Sequence, residues 1–109
     1  MGFFSHDTKE DALKQLENIN QEMRAISALI HLNYNMIDGR NRNKVKEHYN
    51  NIIRYGSKYD KIKSNLSMYD RLELETMRMP LWNGKDCDVI SWEFHFKITL
   101  EQLYNDINY

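Results

Sequence analysis

The groups in this chain that could do chemistry are few, and their spacing suits it poorly. His6, His31, His48 and His95 stand far apart. No pair has the His-x-x-x-His spacing that sets two imidazoles on one helix face for a metal. His31 and His48 could approach each other across a helical hairpin, but structural or surface roles are expected for both. Cys87 is the lone cysteine and lies between Asp86 and Asp88. Neighbouring carboxylates disfavour the thiolate, so an inert thiol is expected. Glu73, Glu75, Asp86, Asp88 and Glu93 could gather on a hairpin and attract a divalent cation. They lack the spacing of a calcium loop, and a polar strand face explains them better, so no metal site is expected. Phosphate-cradling glycine loops and the Gly-x-Ser-x-Gly elbow do not occur. The expectation is a non-enzymatic protein without a cofactor.

Charge layout is the stronger signal. Residues 40–63 hold eight basic side chains against Glu47 and Asp60. Residues 1–39 hold six acidic and three basic, and residues 64–109 eight acidic and four basic. A basic segment of about +6 thus lies between two acidic flanks. On helical spacing Arg40, Lys44, Arg54, Lys58 and Lys61 fall opposite the apolar stripe. Their favoured role is a solvated face that complements the acidic flanks, with an acidic protein partner next. Phosphate binding, with Tyr55 or Tyr59 for stacking, is the alternative. The net charge of −1 weakens it, because a duplex would repel both flanks.

These groups must be positioned by helices first and a small β element afterwards. Thr8 with Asp11 resembles a capping box. From there Ala12, Leu16, Ile19, Met23, Ile26, Ile30, Asn33 and Ile37 recur at steps of four and three, a heptad seam. The helix they predict runs from about 7 to about 36 and is roughly 45 Å long. Leu13, Leu29 and Leu32 widen the stripe, and Asp38-Gly39 is a natural stop. A second helix begins near Asn41–Asn43 and continues through Val45, Tyr49, Ile52, Gly56, Tyr59, Ile62 and Leu66. Gly56 within it marks a kink, a break or a close backbone approach. Together they form an antiparallel helical hairpin over 7–66.

The later part alternates instead. Ile90–Leu100 reads Ile-Ser-Trp-Glu-Phe-His-Phe-Lys-Ile-Thr-Leu, apolar and polar at every step, which predicts a strand with one buried face. Trp92, Phe94 and Phe96 then belong to a core row rather than to a base-stacking platform. Ser67 with Asp70 looks like a helix start, yet Leu72 and Leu74 alternate with Glu73 and Glu75 like a strand. Asn83-Gly84 is a hairpin-turn dipeptide. A β-hairpin of about 71–82 against 87–98 is therefore expected. A three-residue loop would set Leu74 opposite Phe94, and a two-residue loop Met77 opposite Ile90. Thr99 then caps a short last helix from Leu100 to about Ile107.

The chain of 109 residues, 41% hydrophobic and 28% charged, suits one soluble domain spanning 1–109. No apolar stretch after Met1 suits a secretory signal, and none approaches membrane-spanning length. A reduced, cytoplasmic setting without membrane contact is expected. The fold class is α+β: a long helical hairpin, a β-hairpin, and a short C-terminal helix. The first seam is longer than the rest of the chain obviously covers. Self-association as a coiled-coil homodimer through Leu16, Ile19, Met23, Ile26 and Ile30 follows, with Asn33 fixing register. Trp82 at the hairpin tip, beside Leu81 and near Met79, is the expected anchor for another protein. The chain thus reads as a small interaction module. By analogy with motif-free proteins of AT-rich genomes, it suits a phage or mobile-element inhibitor of a host protein. A nucleic-acid-binding regulator using the basic helix is the alternative.

Overall fold

The computed structural model describes residues 7–32 and 41–108, with the backbone alone at 31 and 32. Among these described residues four helices and one minimal hairpin follow in order: α1 Lys9–Leu32, α2 Arg42–Asn65, α3 Met68–Thr76, β1 Arg78–Pro80, β2 Asp86–Asp88 and α4 Val89–Ile107. The molecule measures 45 × 31 × 18 Å. Its shortest dimension is about two helix diameters, so a two-layer arrangement fits.

Helix α1 starts where the capping box predicts. The Thr8 hydroxyl accepts from the Asp11 N–H at 3.1 Å, and the Thr8 N–H donates to the Asp11 carboxylate at 3.0 Å. Helices α1 and α2 run antiparallel. Asn41 bonds to Leu29, His48 to Glu22 and Asn65 to Asp7, so sequence positions rise on one helix as they fall on the other. Ala12, Leu16, Ile19, Met23 and Ile26 are buried against Val45, Ile52 and Tyr59 of α2 and the elements beyond, and Ile30 is half-buried on the same core. The seam nominated for a homodimer is therefore consumed inside one chain. Burial of Leu16, Ile19, Met23 and Ile26 in the chain's own core removes them from any partner and leaves only half-buried Ile30 of the seam near the surface. Asn33, Ile37 and Arg40, like His6, lie outside the described residues.

Helix α2 keeps close to its predicted bounds, and the helix-start signal at Ser67 prevails over the strand alternation read after it. Helix α2 runs unbroken through Gly56. A Cβ there would meet the Phe96 ring at 3.8 Å, so a ring, not a backbone, comes close. Ser67 caps α3 by accepting from the Asp70 N–H at 3.1 Å.

The sheet prediction needs correction. A hairpin forms, but each strand has three residues, with Arg78 opposite Asp88, Met79 opposite Cys87 and Pro80 opposite Asp86. Neither proposed register occurs, because the loop spans 81–85. Within it the Gly84 N–H donates to the Leu81 carbonyl at 2.8 Å, and the Leu81 N–H to the Lys85 carbonyl at 2.9 Å. Gly84 has φ +88°, the left-handed conformation glycine tolerates. Residues 71–76 are helix, and Ile90–Leu100 lies wholly within α4. The last helix therefore begins at Val89, capped by Asp88, rather than after Thr99.

The cause of the error is geometric. Residues two apart on an α-helix are separated by about 200°, so strict alternation also describes a helix with apolar residues on two opposite faces. Val89, Trp92, Phe96, Leu100, Leu103 and Ile107 form the inward face, spaced by three and four. Ile90, Phe94 and Ile98 form the outward one. The same geometry separates Leu74, fully buried, from Leu72, exposed, on α3.

Candidate functional site

The outward face of α4 is the main surface anomaly. Ile90, Phe94 and Ile98 are 52%, 63% and 44% exposed. They stand at i, i+4 and i+8, and so line up on one side of the helix. A helix apolar on two opposite sides ordinarily buries both. Here the inward side is covered and the outward side is not. The His95 ring meets Phe94 edge-on at 5.9 Å. Met68, Tyr69 and Leu72 give α3 a further exposed apolar face.

Beside α4 lies a groove against α2, about 560 Å³ in volume. Its floor includes Ile52, Gly56, Trp92 and Phe96, and its rim Asp60, Lys63, Glu93 and Lys97. A polar network crosses one end. The Tyr59 hydroxyl donates to Glu93 at 2.5 Å, and the Lys63 ammonium donates to Glu93 at 2.8 Å and pairs with Glu75 at 3.1 Å. Burial pushes the Tyr59 phenol far up, and its bond to Glu93 adds to this. Burial would lower the Lys63 ammonium, but its bonds to Glu93 and Glu75 outweigh that and raise it. Both groups keep their protons at neutral pH and serve as donors, not bases. The network ties α2 to α3 and α4.

The residues nominated as a partner anchor sit differently. Met79 and Leu81 are buried in the core, and cannot present themselves to a partner. Trp82 is half-buried with its ring edge-on to Trp92, centroids 6.0 Å apart. Trp92 in turn stacks on Phe96 at 5.0 Å. The hairpin tip is thus folded back on the core, held by Asn20. The Asn20 amide donates to the Pro80 carbonyl at 2.7 Å, and its oxygen accepts from the Trp92 indole at 3.0 Å. Sequence reading missed Asn20. The signal was present: an asparagine beside an apolar stripe, and a buried tryptophan N–H that needs an acceptor.

The acidic residues do not gather. Glu73 pairs with Lys9, Glu75 and Glu93 share Lys63, Asp86 pairs with Arg78, and Asp88 accepts from the Ser91 N–H. No group of three or more metal-ligating side chains occurs among the described residues. His48 engages Glu22, which also accepts from Asn51 at 2.9 Å. The His31 side chain lies outside the described set. Burial and the Asp88 carboxylate push the Cys87 thiol up, and it donates to the Met79 carbonyl.

Lys44, Arg54, Lys58 and Lys61 are all exposed on α2. Arg54 lies over the Tyr55 ring at 5.3 Å. Tyr59, by contrast, is buried and gives no stacking surface. No described helix is long and apolar enough to cross a membrane. Comparison with protein-family models, with curated proteins and with solved structures finds no match to this chain.

Proposed function

We propose that this chain is a non-enzymatic protein-interaction module that docks through the outward face of α4. The observation that carries this reading is the uncovered row Ile90, Phe94 and Ile98 on a helix whose other side is core. Exposed apolar area grouped in a row, rather than scattered, marks contact surfaces. The contact surface is thus moved from the hairpin tip to the helix that follows it. The rest of the molecule acts as a scaffold: α2, α3 and the hairpin pack on the inward side of α4, and the Asn20 bonds fix its first turns.

The test separates contact from packing. Replacing Ile90, Phe94 and Ile98 together by serine should leave the melting temperature within a few degrees, since exposed side chains contribute little to stability. A photo-crosslinking phenylalanine analogue at position 94 should give a covalent protein adduct in the producing cell, while the same group at exposed Glu17 gives none. A large loss of stability, or no adduct at position 94, overturns the reading.

A further inference from the structure

We infer that the groove between α2 and α4 binds a small organic cation, an amine or quaternary ammonium carried on a flat apolar body. The groove is lined by none of Ile90, Phe94 and Ile98, so this site stands or falls apart from the docking reading. The two helices run antiparallel and are tied at both ends. Arg42 donates to the Ile107 carbonyl at 2.7 Å at one end, and Tyr59 and Lys63 donate to Glu93 at the other. Between the ties α2 presents Gly56 and Ser57, which have too little bulk to close the gap. The space left measures about 560 Å³ and reaches down to Leu16 and Ile19 of α1. Its size and mostly apolar lining are those of a small-molecule site. The Phe96 ring lines it, backed by Trp92 stacked at 5.0 Å.

Charge selects the sign of the ligand. Glu93 is occupied by Tyr59 and Lys63, and Lys63 by Glu93 and Glu75. Asp60 on α2 and Lys97 on α4 have no hydrogen-bond or ion-pair partner among the described residues. Three carboxylates (Asp60, Glu75 and Glu93) thus stand around the groove against two ammoniums (Lys63 and Lys97), an excess of one negative charge. The negative field is felt at the Tyr59 end. Burial raises the Tyr59 phenol first, and the carboxylates of Glu93, Asp60 and Glu75 add to the rise. The same end keeps the Lys63 ammonium charged, although burial alone would lower it. A ligand cation beside Asp60 meets that same field in a cleft that excludes part of the solvent. The Phe96 ring adds a cation–π partner. Lys97 is exposed on a flexible stem and can turn its charge away into solvent. An anion would gain Lys97 alone and face the carboxylates.

Isothermal titration of the full chain with naphthylethylamine tests the site, against naphthylacetate, which carries the same ring with the opposite charge. The amine should bind with a Kd on the order of 100 μM, the range its few non-hydrogen atoms permit. The acid should bind at least about 5-fold more weakly. Asp60→Asn should weaken the amine about 3-fold, and Lys97→Gln should tighten it. Both residues are exposed, so neither change threatens the fold. Gly56→Leu, which fills the groove, should abolish binding with helical circular dichroism unchanged. Should that variant fail to fold, nuclear Overhauser contacts between the naphthyl ring and Phe96 of the unmodified chain read the same seat. Equal affinity for the two ions, a preference for the acid, or no amine bound at about 1 mM overturns the site. So does an amine affinity untouched by Asp60→Asn, or a bound naphthyl ring without contact to Phe96. The crosslinker at position 94 tests the docking reading separately.

Discussion

The Trp92 indole donates to Asn20 across 72 positions of sequence, and the same asparagine holds the backbone of Pro80. One buried amide thereby ties α1, the hairpin and α4 at a single point. Asn20→Leu should leave the indole N–H and the Pro80 carbonyl unsatisfied and cost about 3 kcal/mol. Adding Trp92→Phe removes the orphaned donor. The double variant should be less unstable than the sum of the two single ones, as read by urea denaturation.

Stability should fall as the medium becomes strongly alkaline. Tyr59 and Lys63 both have folded-state values above their ordinary 10.0 and 10.5. Their contributions are complete below those ordinary values and are lost as pH rises past them, because the unfolded chain gives up its protons first. Urea midpoints measured from pH 8 to 11 should decline above about 10, and Tyr59→Phe should flatten the decline.

Gly56→Ala should stabilise the protein by up to about 1 kcal/mol, the helix-propensity difference. The added methyl meets the Phe96 ring at an ordinary 3.8 Å, so no clash opposes it. A thermal melt that moves downward instead would mean the ring needs the space.

Gly84→Ala should destabilise by roughly 1 kcal/mol, since φ is +88° there and an L side chain resists it. The site is open, with no atom near an added Cβ, so the loss would come from backbone conformation alone. Trp82 fluorescence, which reports the tip folded against Trp92, should change with it.

Lys44→Glu with Lys58→Glu separates the docking reading from the phosphate-binding alternative. Both lysines are exposed on α2. The crosslink at position 94 should survive the double change. Salt-sensitive retention on DNA or RNA lost in that variant would instead favour the alternative.

The helical hairpin was legible because its signals were one-sided. Ala12 through Ile26 recur on a single stripe, and Thr8, Ser67 and Gly84 behave as their local chemistry dictates. The second half misled for one physical reason. Leu72 with Leu74, and Ile90 through Leu100, place apolar residues on opposite faces of helices, and period 2 cannot distinguish that from a strand. Two clues favoured helix: Asp88 three residues before Ser91, and the three-four spacing from Val89 to Ile107. The contact surface was misjudged for a related reason. A tryptophan beside a turn reads as an exposed anchor, yet Trp82 folds onto Trp92, a contact between residues ten apart that no local pattern announces.

The double-sided pattern of α4 has a cost when the fold loosens. Released from α2, α3 and the hairpin, residues 90–100 are a stretch with no net charge alternating like the strands of an amyloid spine, free of proline and glycine. Packing of Trp92 and Phe96 against the core keeps that stretch helical. Destabilised variants should therefore convert to fibrils that bind thioflavin, with the protease-resistant segment centred on Phe94.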